Sequence, residues 1–184
     1  SLTKACLDYL VYGVFDAQAM SDRLSHILMR NTDQVNNMML NLLDSHDTER
    51  FLTLAKKSGK DERSLLCALA ILFFSPGMPC IYYGTEIGME GGYDPDCRRT
   101  FDWNRQNWNL RIYDTVKKLI RLRKRIAGEV KYSAQDGVLL IERKDLLLAV
   151  NNGTEKRETE IAGRKYEIDP FGFKIIDIKD GGVL

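Results

Sequence analysis

The sharpest chemical signature in this chain is the pair His46-Asp47. It follows an apolar run, Met38-Met39-Leu40-Asn41-Leu42-Leu43, and lies inside a polar cluster, Asp44-Ser45-His46-Asp47-Thr48-Glu49-Arg50. A carboxylate there can stabilise a developing positive charge, and an imidazole beside it can hydrogen-bond a hydroxyl-rich ligand. Taken alone, His-Asp is a common dipeptide, and a satisfied structural pair is the competing reading.

The elements around the pair decide how it is presented. An apolar strand that delivers polar residues at its C-terminal end is the layout of a buried parallel strand feeding a site. Met38–Leu43 reads as such a strand, and Cys80-Ile81-Tyr82-Tyr83 reads as a second, ended by Gly84-Thr85-Glu86. Between them, Leu65 to Phe74 is apolar nearly all round and predicts a helix packed on most faces. Ser58-Gly59-Lys60-Asp61 ahead of it is a loop with a cap candidate, and Pro76-Gly77-Met78-Pro79 stops it. The residues before Asn31 are helical, with Met20, Leu24, Ile27 and Leu28 recurring at three and four residues and Asp16 or Ser21 as cap. Asn31-Thr32-Asp33 reads as a turn. A long loop runs from Gly88 to Asn107, and Leu110 to Ile126 is an amphipathic helix burying Ile112, Tyr113, Val116, Leu119, Ile120 and Ile126.

After Gly128 the pattern changes to short apolar runs, Val138–Ile141 and Leu146–Val150, with hairpin signals at Gln135-Asp136-Gly137 and Asn151-Asn152-Gly153. Further strands fit Arg157–Ile161, Lys165–Ile168 and Phe173–Ile178. The expected division is therefore an alternating β/α region over 1–127 and a small antiparallel β domain over 128–184.

Composition narrows the function classes. Of 184 residues, 44% are apolar, which supports a real core, and 27 Lys+Arg nearly cancel 26 Asp+Glu for a net charge of +1. No overall field draws the chain to nucleic acid or anionic lipid. The longest apolar run is ten residues, Leu65 to Phe74, where a membrane helix needs about twenty. Cys6, Cys67, Cys80 and Cys97 form no Cys-x-x-Cys pair, so free, mostly buried thiols are expected, with no zinc site or other cofactor. Reduced thiols and the lack of a signal-peptide pattern in Ser1-Leu2-Thr3-Lys4 point to a cytoplasmic location.

Three ordered segments carry a family resemblance. Asn41 to Arg50 resembles the seventh barrel strand and its loop in the α-amylase family, glycoside hydrolase family thirteen. Gly77-Met78-Pro79-Cys80-Ile81-Tyr82-Tyr83-Gly84-Thr85-Glu86-Ile87-Gly88-Met89 resembles the eighth. Gly91-Gly92-Tyr93-Asp94-Pro95-Asp96-Cys97-Arg98-Arg99, continued by Phe101-Asp102-Trp103, is similar to the cyclomaltodextrinase, neopullulanase and maltogenic amylase branch.

What the resemblance implies is the C-terminal part of a (β/α)8 barrel followed by a small antiparallel β-sandwich domain, in a retaining α-glucan hydrolase. Such an enzyme needs a nucleophile and an acid/base, to which the family adds a third carboxylate that binds sugar hydroxyls and favours the cationic transition state. By motif position Asp47 is that third carboxylate, His46 its sugar-binding neighbour, and Asp94 and Arg98 bind sugar at the cleft rim. A loop-stabilising ion pair is the competing reading for Asp94 and Arg98. The nucleophile and acid/base segments have no counterpart here, Asp8 and Asp16 included, and a whole barrel takes about 250 residues. The segment alone is thus expected to be inactive, with an α-glucan oligosaccharide as substrate of the whole enzyme, whose linkages are α-1,4 or α-1,6.

Other residues receive plainer readings. For Tyr82 and Tyr83 the expectation is core packing for one and a rim hydroxyl for the other. Trp103 and Trp108 pack the loop on the last helix in preference to stacking on sugar, Glu86 is structural, and Thr48 and Glu49 surround Asp47. The basic run Lys117, Lys118, Arg121, Arg123, Lys124 and Arg125 is a solvated helix end, and His26 is exposed. Unpaired barrel edges predict that the isolated segment self-associates, and the full-length protein could be a homodimer. The rival to the enzymatic reading is a self-standing glucan-binding or interaction module, against which the absence of Met at position 1 weighs.

Overall fold

The computed structural model describes residues 1–184. The N-terminal helical stretch is two helices, α1 (Leu2–Leu10) and α2 (Ala17–Met29), because Asp16 caps the second by accepting from the Ala19 N–H at 2.8 Å. The residues read as a turn open α3 (Asp33–Met38), with Thr32 as its cap. Next come β1 (Leu40–Leu42), α4 (Phe51–Lys57), α5 (Glu62–Phe74) and β2 (Met78–Cys80). Asp61 caps α5, and every residue from Ser64 to Phe74 is buried, as its all-round apolar pattern requires.

β1 and β2 pair in parallel, Leu40 opposite Met78 and Leu42 opposite Cys80. β1 covers only the middle of the Met38–Leu43 run, whose first residue ends α3, and β2 lies ahead of the expected Cys80–Tyr83 strand and shares only Cys80 with it; neither strand is buried. Leu40 is 59% exposed and Met78 48%, since only two strands are present and neither outer edge is paired.

A loop then leads to α6 (Leu110–Arg123), which buries Ile112, Val116 and Leu119 but leaves Ile120 exposed, contrary to the sequence reading. All remaining strands are antiparallel: β3 (Val130–Gln135), β4 (Val138–Arg143), β5 (Leu146–Asn151), β6 (Arg157–Ile161), β7 (Arg164–Ile168) and β8 (Gly172–Asp177). They form a four-stranded sheet in the order β3-β4-β5-β8 and a separate β6–β7 hairpin. β3 has a weak apolar pattern and is not legible from its residues. Asn151-Asn152-Gly153 does not turn a hairpin, because Asn151 donates to the carbonyls of Glu155 and Ile168 and sends the chain out to β6.

Strand alternation explains how the parts join. Leu139, Ile141, Leu146, Leu148, Val150 and Ile175 face the helices and are continuous with the core around α5. Val138, Leu140, Leu147, Ala149 and Ile176 face the other way, against Ile161, Tyr166 and Ile168 of the β6–β7 hairpin.

Two arginines finish the C-terminal end of α5, where carbonyls lack helical partners. Arg143 donates to the Phe74 carbonyl at 2.8 Å, and Arg123 donates to the carbonyls of Phe73, Ser75 and Gly77. Arg123 is therefore not part of a solvated basic face, and burial lowers its pKa. Arg143→Met keeps the side-chain volume but strands the buried Phe74 carbonyl. It is expected to cost about 2–3 kcal/mol, read from the denaturant midpoint.

Candidate functional site

Because β1 and β2 are parallel, their C-terminal ends open on the same side, and the loops that follow meet there. Asp44 is the hinge between those loops. It is buried, and its carboxylate accepts from the Phe51 N–H of α4 at 2.5 Å and from the Thr85 hydroxyl, just beyond β2, at 2.6 Å. Burial pushes its pKa above the ordinary carboxylate value. A raised pKa in the folded state contributes stability at low pH that is lost as pH rises through it. Asp44→Asn removes the ionisable group, so the melting temperature of the Asn variant should gain on that of the unsubstituted protein as pH rises from 3 to about 7.

The adjoining residues turn outward. His46 and Asp47 are exposed, and the Ser45 hydroxyl donates to the Asp47 carboxylate. Thr48 reaches that same hydroxyl at 2.9 Å, and so lies one contact from Asp47. The Ser45 bond, helped by the charges of His46 and Arg98, holds the Asp47 carboxyl below its usual range. Glu49 turns away and pairs with Lys57 at 2.5 Å.

The loop after β2 reaches back across this turn. Arg98 donates from Nε to the His46 carbonyl at 2.7 Å, the Cys97 thiol donates to it at 3.0 Å, and Arg98 pairs with Asp94 at 3.0 Å. The structure thus brings His46, Asp47, Asp94 and Arg98 to one face at the open end of the strand pair. Of the cysteines, all free, Cys6, Cys67 and Cys97 are buried and Cys80 is partly so. No three His, Cys, Asp or Glu side chains converge as metal ligands.

Arg50 is the residue whose importance is not evident from the sequence. It is fully buried, its guanidinium lies 4.7 Å from the Tyr82 ring centre and 5.2 Å from that of Tyr83, and it donates to the Tyr83 carbonyl at 2.9 Å. The only hint is a cation immediately before the apolar pair Phe51-Leu52. Tyr83 is the rim hydroxyl, donating to the Arg99 carbonyl at 2.9 Å, while Tyr82 packs on Arg50. Trp108 fastens the loop to α6 through Tyr113, 5.2 Å between ring centres, and donates to the Asp102 carbonyl at 2.7 Å. Trp103 lies on Phe101 at 4.7 Å but is 79% exposed, so it does not pack as Trp108 does. Glu86 is half-buried and its Oε2 is buried without a hydrogen-bond partner, so the structural role expected for it has no bond behind it; His26 is exposed.

The family model of the alpha-amylase catalytic domain matches residues 12–109, a span that holds the whole of this site. The chain belongs to the α-amylase family. It is 39% identical over 162 residues to a cyclomaltodextrinase of Thermoanaerobacter pseudethanolicus, covering 83% of the chain and 28% of that relative. It is 42% identical over 122 residues to an intracellular maltogenic amylase of Bacillus subtilis, covering 66% of the chain and 20% of the relative. Among solved structures, the cyclic alpha-maltosyl-(1→6)-maltose hydrolase of Arthrobacter globiformis in complex with maltose superposes with a TM-score of 0.87 at 28% identity, over 96% of this chain and 43% of that one. These 184 residues therefore span less than half the length of these α-amylase family proteins. No helix is long and apolar enough to cross a membrane.

Proposed function

We propose that these residues are the C-terminal part of a retaining α-glucan hydrolase that cleaves α-1,4, and in some substrates α-1,6, glucosidic bonds of maltodextrin, cyclodextrin or pullulan. In this reading residues 1–127 hold the last strands of a (β/α)8 barrel, β1 and β2 being the seventh and eighth, and residues 128–184 are the appended β domain. Asp47 stabilises the positive charge that develops on the sugar ring, His46 hydrogen-bonds a sugar hydroxyl, and Asp94 and Arg98 contact the substrate at the rim.

The observation that carries this reading is the pairing of an exposed, readily ionised Asp47 at the end of a parallel strand with the Asp94–Arg98 loop fastened to its neighbour. A retaining mechanism needs two further carboxyl groups about 5 Å apart across the bond. The early carboxylates are otherwise engaged, Asp8 with Lys4 at 2.9 Å and Asp16 as the cap of α2. It is the family resemblance that assigns the nucleophile and the acid/base to preceding barrel strands. The relatives named for cyclomaltodextrin and maltose support an α-glucan as substrate.

The test joins this segment to the preceding part of its reading frame and follows maltodextrin cleavage by proton NMR. The expected result is turnover in which the α-anomer forms first. The β-anomer forming first, or no glucan cleavage, contradicts the reading.

The open edges of β1 and β2 give a second expectation. Leu40 and Met78 are apolar and exposed beside unpaired strand backbone. The isolated chain is expected to elute in light-scattering chromatography as a species heavier than its 21.1 kDa monomer. A monodisperse monomer contradicts this.

A further inference from the structure

We infer that Cys97 and Arg98 are positioning residues that together hold the His46 carbonyl and thereby aim the Asp47 side chain. The inference rests on the role proposed above for Asp47. A peptide unit is planar, so fixing the His46 carbonyl also fixes the Asp47 N–H and the direction of both flanking Cα atoms. Two donors meet that one oxygen, the Cys97 thiol at 3.0 Å and Arg98 Nε at 2.7 Å. At the opposite edge of the same planar unit the Asp47 N–H has only a 3.5 Å contact to the Ser45 hydroxyl. The orientation is therefore set from the Cys97–Arg98 side.

The donors can do this because their own turn is fixed. Asp96 accepts from the Gly92 N–H at 2.6 Å and from Arg99 at 2.6 Å. Gly91 lies so close beneath that a Cβ on it would fall 2.7 Å from the Asp96 carbonyl oxygen and 2.9 Å from the Cys97 Cα. Gly91 is itself tied to the loop after β1, accepting from the Arg50 N–H at 2.9 Å and donating to the Thr53 hydroxyl at 2.8 Å. The span from Gly91 to Arg98 is thus anchored at the start of α4 at one end and on the His46 carbonyl at the other. Cys97 is fully buried, so its thiol offers its hydrogen to this carbonyl and not to solvent or substrate. Arg98 has its Nε engaged here and Nη2 on Asp94, which leaves the remaining guanidinium hydrogens for the rim contact.

Three variants of the full-length enzyme test the inference, each with a melting curve. Cys97→Val has similar volume but no donor, and kcat should fall about tenfold with KM within about twofold, since small misplacements of a reacting group are costly. Cys97→Ser restores a donor and should recover kcat to within about threefold of the unsubstituted enzyme. A packing role predicts the reverse order, because a buried hydroxyl without its bond is worse than a methyl. Arg98→Gln changes a half-exposed residue that does not endanger folding, and kcat at saturating substrate should fall about fivefold or more. Because Arg98→Gln also removes the rim contact proposed for Arg98, a loss read in KM, only its kcat at saturating substrate bears on positioning, and it stands in on that readout if either Cys97 variant fails to fold. Asp47→Asn is measured alongside. If it lowers kcat while Cys97→Val and Arg98→Gln do not, the positioning role is wrong and the role of Asp47 stands. If Asp47→Asn leaves kcat unchanged, both are wrong.

Discussion

Replacing Asp47 with Asn in the full-length enzyme is expected to lower kcat by about two to three orders of magnitude, with KM changing far less. That is the scale of losing one preorganised electrostatic contact to transition-state charge. Asn keeps the shape and one acceptor oxygen but not the negative charge. The side chain is exposed and its only close side-chain partner is the Ser45 hydroxyl, to which an Asn oxygen can still bond, so the melting temperature should move little. That separates a catalytic loss from a folding loss. Steady-state kinetics on maltodextrin gives the answer, and a kcat near that of the unsubstituted enzyme removes Asp47 from the mechanism.

Gly77→Ala is expected to have the largest structural effect. Gly77 has a φ of +89°, where a Cβ is strained, and a Cβ built there would meet the Met39 carbonyl oxygen at 2.4 Å and the Asn36 carbonyl oxygen at 3.0 Å. Both obstacles are backbone, so neither can swing aside. That same Met39 carbonyl accepts from the Met78 N–H at 2.8 Å in the first rung of the parallel pair. Making room for a methyl group separates β1 from β2 and with them the two loops that build the site. A cost of about 3 kcal/mol or more is expected, visible as a large drop in the denaturant midpoint and as loss of folded protein at 37 °C. A midpoint within experimental error of the unsubstituted protein would show that the two strands do not depend on this close approach.

Much of the site was legible because it is local. An apolar run ending in Asp44-Ser45-His46-Asp47 announces a strand and its loop, and the structure has β1 there, followed by an outward-facing His46 and Asp47. Asp61 and Asp16 act as caps for the same reason, since a cap is a contact over two or three residues. What was not legible depends on distant partners. Arg50 is unremarkable until Tyr82 and Tyr83, more than thirty residues on, close over it. Arg123 reads as one more cation on a basic helix until the end of α5 arrives beneath it. Ile120 fits the apolar spacing of α6 yet faces out. β3 is unmarked in sequence because its residues alternate only weakly, and its place is set by pairing with β4. The hinge role of Asp44 is likewise invisible locally, because Thr85 lies beyond the second strand.

The most direct test is to assay the purified 184-residue chain for release of reducing ends from maltodextrin, beside the same chain joined to its preceding sequence. The account predicts no turnover by the chain alone and clear turnover by the joined protein. Cleavage by the chain alone, abolished by Asp47→Asn so that a contaminating amylase is not the source, would contradict it.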